Sequence, residues 1–582
     1  MQEFLEITDP RLKRKVVPYD FSLTTWESIE PYYTQLLKVT PDSTAALEAF
    51  LLEVNELDSI VSEEMAWRYI RMTCNTLKAE YKQDYQYFIT AVIPQVSVIR
   101  NTINRKIAEN PWFESIDPEK YKTFIRSLKR EIALFREENV ALESQGATIS
   151  QQHTEIMGNM TISFEGKEIT VPEAGVYLEN PDREVRKEVW DLLRLRRAEE
   201  RDKLLDIFGQ LVEIRNKIAH NAGYSSYTAY KFDQLSRFDY TLEDTRSFHD
   251  AVEKVVKPVY CELMEERRAK MGLSELRPWD LSVDIFADTP LSPFADSDDL
   301  IRKSIEALSR LRPELGKMIG IMQERNYLDL GTRPGKAPGG YNYPLAETGI
   351  PFIFMNAANS HKYVITMLHE SGHAIHSFLT RNISLDVLKQ TPSEVAELAS
   401  MTMELLCLDN YDIFYETPEA ADIARKSQLY RCIDVFPWIA TIDAFQQWAY
   451  DNPESNHDER NLKFEELYVR FHGDTVNWEG YEEVRQHLWL KQGHIFDVPF
   501  YYIEYAIAQL GALAIWRNYK MNPQQGLNQY LEALKLGYTC PIPEIYRKAG
   551  ISFDFSEDYV RTCVDFCLEE YKNIQIGSPI NS

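Results

Sequence analysis

Apolar residues recur three and four positions apart along most of this chain, and that period confines it to a mostly helical architecture. Ala45–Leu57 and Tyr121–Asn139 carry the pattern with charged residues between the apolar ones. A third stretch opens at Pro181–Asp182, runs to about Ala219 and stops at His220–Asn221–Ala222–Gly223, so its start and stop signals are both legible. Inside it, the run RLRRAEERDK mixes signs and reads as a solvated helix face. Strand signals are few. Thr161–Phe164 and Glu168–Val171 flank Glu165–Gly166–Lys167, which predicts a hairpin with a Gly-containing turn. Pro351–Asn356 is aromatic and branched, and it predicts a strand directly before a helix. The nearly apolar run 499–516 is too short to span a bilayer and carries Glu504, so it predicts a buried helix. There is no internal repeat and no low-complexity tract.

Composition narrows the function classes. With 582 residues, 44% hydrophobic and 26% charged, the chain can bury a large core without disulfides. A net charge of −26 repels phosphate backbones and anionic lipid, which argues against nucleic-acid or membrane-surface partners. The seven cysteines are scattered, with no C-x-x-C, and Cys563 and Cys567 share an apolar helix face; they predict buried thiols in a reducing compartment. The start, MQEFLEITDPRLKRK, shows no apolar signal region, and the expected location is cytoplasmic. The segment 331–344 is richest in Gly and Pro. Its Gly335–Lys336 is not a phosphate loop, because three residues rather than four separate the glycines and Ala337 follows the lysine; a mobile surface loop is expected instead. The predicted organisation is a helical N-terminal lobe over 1–200, ending in the hairpin and the long helix, followed by a second lobe over 201–582. The joints are expected near 145–180 and in the polar stretch 283–299.

The chemistry concentrates at His369–Glu370–Ser371–Gly372–His373. On a helix, positions i and i+4 share a face, so both imidazoles can reach one ion while Glu370 addresses a water on it, the arrangement of zinc hydrolases. Val364, Leu368, Ile375 and Leu379 make the surrounding helix apolar. Burying two histidines and a glutamate there without partners would cost several kcal/mol, which calls for a metal. Gly372 costs about 1 kcal/mol in a helix interior, and close approach by another segment would explain it. A third ligand is required. The metzincin extension would need Gly at 376 and His at 379, where this chain has His376 and Leu379. The next helix opens at Thr391–Pro392–Ser393–Glu394, which reads as a capping box with Thr391 as N-cap and Glu394 at N3. Glu397 and Glu404 follow on the same face. Glu397 is the expected ligand with Glu394 as the alternative, Glu404 is expected to orient a ligand imidazole, and His376 is read as a core histidine. Further on, Tyr502 and Tyr505 share a face of a helix expected to start near Pro499, with His494 just before it.

At these residues the chain resembles the oligopeptidase F branch of the thimet oligopeptidase family of zinc metallopeptidases. The matching stretches are GKAPGGY (335–341), PFIFMN (351–356), HESGHAIHSFL (369–379), Glu397–Ser400 with Glu404, and FYYIEYAIAQLGAL (500–513), within a similarity covering about 160 to 570. The resemblance implies a two-lobed helical ellipsoid with a deep channel, a small β element and cleavage of short peptides inside the cell. It implies His369, His373 and Glu397 as ligands of one Zn²⁺ and Glu370 as general base. His494, Tyr502 and Tyr505 would meet substrate and oxyanion, with Tyr501 able to replace Tyr502. Gly339, Gly340 and Tyr341 of the loop, Phe352 of the strand and Tyr501 are expected to bind the peptide, the strand by edge pairing. The expected activity is zinc-dependent hydrolysis of internal bonds of short unfolded peptides by a monomer or small homo-oligomer. The alternatives are a peptidase releasing dipeptides or single residues, and an inactive peptide-binding homologue.

Overall fold

The computed structural model describes residues 1–287, 291–337 and 339–576. Helices make up most of it, as the period requires. Helix α1 (Thr44–Cys74) is capped by the Ser43 hydroxyl, which accepts from the Ala46 N–H. The stretch read as one periodic run over 121–139 is two helices, α2 (Lys122–Leu134) and α3 (Glu137–Gly158). The chain turns extended at Phe135, and the Arg136 guanidinium donates to the carbonyls of Ala133 and Phe135 that the break exposes. Strands β1 (Thr161–Phe164) and β2 (Lys167–Thr170) form the predicted hairpin, with β2 starting one residue early. The turn is Glu165–Gly166 alone, at φ 49° and 74°, and two left-handed residues in a two-residue loop match the twist of the strands. Helix α4 (Arg183–Asn221) starts where Asp182 accepts from the Glu184 N–H.

The motif at 369–373 follows a small sheet of β3 (Leu328–Gly331), β4 (Tyr341–Tyr343) and β5 (Phe352–Ala357). The order is β3–β5–β4, with β5 parallel to β3 and antiparallel to β4. Then come α5 (His361–Thr380), α6 (Ser393–Leu406), α7 (Pro418–Asp451), the short α8 (Gly493–Asp497), α9 (Tyr502–Met521) and α10 (Pro523–Leu534). Among the described residues no helix is long and apolar enough to cross a membrane.

Packing divides the chain into two compact units, each discontinuous in sequence. One holds Met1–Glu137, Ser292–Phe414 and Ala514–Phe553; the other holds Glu138–Leu291, Tyr415–Leu513 and the stretch from Asp554. A single cut at 200 falls inside α4, one unbroken helix, so the division by packing runs differently from a split along the chain. One change of unit does fall in the polar stretch 283–299, of which 288–290 lie outside the described residues.

In the first unit, Ala66 and Ile70 of α1 pack on Phe352 and Phe354 of β5, which seats the sheet. The loop 331–344, whose Pro338 lies outside the described residues, was expected to be mobile, and its described part is instead anchored. The Lys336 ammonium is fully buried and donates to Asp329 Oδ1 at 2.8 Å and to the Gly331 carbonyl at 2.8 Å, while the Ala337 N–H reaches the Thr73 carbonyl at 2.8 Å. A lysine with no anionic partner would not pay the cost of such burial; Asp329 is the partner that composition could not reveal.

Gly372 meets the expectation of close approach. A Cβ placed there would stand 2.6 Å from both the Ala399 carbonyl oxygen and Ser400 Cα, backbone atoms of α6. Gly372→Ala must therefore push α5 and α6 apart, and it is expected to destabilise the protein by about 3 kcal/mol or more, the upper range for overpacking. Urea unfolding checks this; a change near zero would mean the two helices are not held at this spacing.

In the second unit, Glu504 of α9 is buried and receives a hydrogen bond from the Arg237 guanidinium at 2.7 Å, so the apolar helix carries its carboxylate as half of an ion pair. All seven cysteines are free thiols; Cys407, Cys432, Cys563 and Cys567 are buried, and Cys74, Cys261 and Cys540 are half-buried.

Candidate active site

Helix α5 sets His369 and His373 one turn apart with ring centroids 4.9 Å from each other. The close contact at Gly372 brings α6 alongside, and Glu397 Oε2 lies 3.3 Å from His369 Nε2 and 3.6 Å from His373 Nε2. These three ligand atoms lie within 4.8 Å of one another. Around a tetrahedral ion with bonds of about 2.0–2.1 Å, ligand atoms stand about 3.3 Å apart, close to the two distances from Glu397 Oε2 to the imidazoles. Glu404 Oε1 is 2.7 Å from His369 Nδ1. A carboxylate only accepts, so Nδ1 donates to Glu404, and Nε2 is the ring atom left to meet an ion held together with Glu397.

The electrostatics agree. Burial pushes the His373 pKa down to about 4, which keeps the ring neutral and able to ligate. Burial also opposes charge on His369, but Glu397 and Glu404 outweigh it and raise its pKa, a field that calls for a cation. Glu370 is buried, its carboxyl is pushed up to about 7 chiefly by that burial, and Oε2 has no hydrogen-bond partner among the described residues. Two imidazole nitrogens, one carboxylate and a buried carboxyl group without a partner among the described residues beside them fit a catalytic zinc ion.

The capping box expected ahead of Glu397 does not form. Helix α6 starts at Ser393 with Pro392 at the N-cap and no side-chain cap; the Val395 and Ala396 N–H groups bond to the Pro392 carbonyl. Pro392 is extended, at φ −52° and ψ 149°, which leaves Thr391 one residue too far back. Glu394 is buried outside the three-atom cluster. His376 is a buried histidine whose pKa falls to about 3 through burial, consistent with a core role.

The strand expectation needs correction. Strand β5 is central, paired on both sides, and Phe352 is 5% exposed, packed against Trp67, so neither can hold a peptide by edge pairing. The edge beside the motif is β4, tied to it where the Asn342 amide donates to the Glu370 carbonyl at 3.2 Å. Tyr341 of β4 stacks on Phe354 at 4.8 Å and its hydroxyl is 2.6 Å from Thr73 Oγ1. Gly339, at φ 97°, accepts from the Asn356 amide, and Gly340 passes close to the Phe354 carbonyl.

His494, Tyr501, Tyr502 and Tyr505 lie in the second unit and do come together. The His494 ring is 5.9, 5.1 and 5.9 Å from the rings of Tyr501, Tyr502 and Tyr505, and its Nε2 is 3.5 Å from the Tyr505 hydroxyl. The helix begins at Tyr502 rather than near Pro499 because Phe500 sits in the left-handed region at φ 68°, its N–H held by Gln446 and its carbonyl by Arg237. Burial raises the Tyr502 phenol pKa, so this hydroxyl keeps its proton at neutral pH. Two residues absent from the sequence expectations join this cluster, Gln492 and Trp438. The Gln492 amide nitrogen is 2.7 Å from His494 Nδ1, and the Trp438 indole N–H donates to Gln492 Oε1 at 3.1 Å. No periodicity links Trp438 on α7 to His494, so only the fold reveals it.

A family model described as peptidase family M3 matches residues 176–565, and one described as the peptidase M3 N-terminal domain matches 17–135. The chain belongs to peptidase family M3. An oligoendopeptidase F homolog of Lactococcus lactis subsp. lactis is 23% identical over 404 residues, which cover 63% of this chain and 64% of that protein. Oligopeptidase PepF of Bacillus subtilis is 21% identical over 454 residues, 75% of this chain and 65% of that protein. The chain thus spans just under two thirds of the length of these M3 relatives. Among solved structures, PZ peptidase A with inhibitor 2 superposes with a TM-score of 0.89 at 26% identity, over 95% of this chain and 98% of that one. Oligoendopeptidase-F from Enterococcus faecium, at 17% identity and a TM-score of 0.63 over 94% and 98%, shares the fold.

Within the M3 motif, Glu404→Ala removes the acceptor that fixes the His369 tautomer. It is expected to weaken zinc binding or turnover about 10–100-fold. Competition with a chelator of known affinity measures the first and peptide turnover the second; no change in either would leave Glu404 without a role at the cluster.

Proposed function

We propose that this M3 chain is a zinc-dependent endopeptidase that hydrolyses internal bonds of short, unfolded peptides. The observation that carries the reading is the convergence of His369 Nε2, His373 Nε2 and Glu397 Oε2 beside a buried glutamate, Glu370, whose Oε2 has no partner among the described residues. His369, His373 and Glu397 would hold one zinc ion per chain. When bound, zinc supplies Lewis acidity that polarises the scissile carbonyl and acidifies water.

The remaining work falls to the chain's own residues. Glu370 takes the proton from the attacking water and delivers it to the leaving amine nitrogen, so the peptide bond breaks with its proton balance closed. Glu404 keeps the His369 proton on Nδ1. The family resemblance assigns His494, Tyr502 and Tyr505 to the substrate, as hydrogen-bond donors. The extended substrate backbone pairs with β4, the sheet edge beside the motif, while Gly339 and Gly340 keep the adjoining loop flat against β5. The names of the M3 relatives, oligoendopeptidase F and oligopeptidase PepF, support the peptide substrate class.

The test is to incubate the protein with a ladder of unstructured peptides and a stable folded protein and to weigh the products. Internal cuts in the peptides and an intact folded protein are expected. Release of dipeptides or single residues alone would replace the endopeptidase reading, and binding without cleavage would replace the enzyme reading.

A further inference from the structure

We propose that Gln492, clamped by Trp438, is a positioning residue that fixes His494 as a neutral imidazole with its proton on Nε2. The hydrogen-bond chain assigns every proton along it. An indole N–H can only donate. The Trp438 Nε1 lies 3.1 Å from one amide atom of Gln492, so that atom must be the oxygen. The amide nitrogen then faces His494 Nδ1, 2.7 Å away. An amide NH₂ can only donate, so Nδ1 must offer its lone pair. A neutral imidazole with a bare Nδ1 carries its proton on Nε2. That nitrogen points toward the tyrosines, 3.5 Å from the Tyr505 hydroxyl.

The clamp is built to hold. The Trp438 ring packs edge-on against Phe464 at 6.1 Å and His472 at 6.4 Å, and the Lys491 ammonium lies 5.2 Å from its centroid. A second proton on His494 would set N–H against N–H at Nδ1. The ring is therefore a hydrogen-bond donor and not a proton shuttle, which leaves proton transfer to Glu370. The tautomer follows from geometry alone; its catalytic use rests on the proposed peptidase activity.

The test uses the full-length protein labelled with ¹⁵N-histidine. Long-range ¹H–¹⁵N spectra report each ring tautomer, and His494→Gln identifies the signal by its loss. Wild type is expected to show His494 protonated on Nε2 only. Gln492→Glu replaces the donor by an acceptor and is expected to place a proton on Nδ1 and to lower kcat about 10–100-fold with little change in KM. Trp438→Phe keeps an aromatic ring but frees the amide to turn over, so a mixture of tautomers and a smaller loss of kcat are expected. A wild-type His494 protonated on Nδ1 would overturn the proposal, as would a Gln492→Glu spectrum and kcat equal to wild type. If Gln492→Glu does not fold, the wild-type and Trp438→Phe spectra decide it. Absence of any peptide cleavage by wild type would strike the peptidase reading and leave the tautomer to the spectra.

Discussion

Glu370→Gln will lower turnover by at least about 10²–10⁴-fold, the usual contribution of a general base, and will leave the metal content unchanged. Glutamine keeps the size and one acceptor of the glutamate but cannot take up a proton. Glu370 lies between the two histidines in sequence yet contributes no atom to the three-atom ligand cluster, so its loss touches the proton and not the ion. Its Oε2 is buried without a partner among the described residues, and a group held at that cost is placed for a step rather than for stability. The variant should fold and melt close to wild type. Near-normal turnover would show that another group is the base.

Glu397→Gln is the second large effect, and it separates binding from chemistry. The amide keeps the shape but loses the negative charge that sits 3.3 Å and 3.6 Å from the two imidazoles. Zinc affinity is expected to fall by more than the roughly 10–100-fold that loss of a supporting hydrogen bond costs, and turnover should fall with it at limiting metal. The Ser400 hydroxyl, 3.0 Å from the same Oε2, still fits an amide oxygen, so the fold should survive. Unchanged zinc affinity would move the third ligand to Glu394. Together the variants give opposite signatures, metal without turnover for Glu370→Gln and weakened metal for Glu397→Gln.

Much of the His369–His373–Glu397 cluster is legible in the sequence because it is local. His369 and His373 are set by helical spacing, and the helix carrying Glu397 begins at Ser393, after one short intervening helix at Asp386–Lys389. Gly372 signals a close approach, and the fold makes α6 the segment that approaches. What escaped depends on pairing across the chain. Strand β4 is three residues, Tyr341–Tyr343, and exists because β5 lies beside it, so the sequence signal at 351–356 pointed to the centre of the sheet and not to its edge. The start of α9 is set by the left-handed turn at Phe500, which Arg237 and Gln446 hold from elsewhere in the chain. Lys336 reads as part of a loose loop because only the fold sets Asp329 against it. The link from Trp438 through Gln492 to His494 joins segments with no shared periodicity. The interleaving of the two packing units is likewise invisible to any reading that moves along the chain in order.

The most direct measurement determines metal content and peptide cleavage on the same purified sample. It is made as isolated, after chelation, and after return of zinc, with product masses recorded each time. The account predicts about one zinc per chain, internal cuts in a short peptide, loss of all cutting on chelation and its recovery with zinc. Full cleavage by protein shown to be free of metal would contradict it.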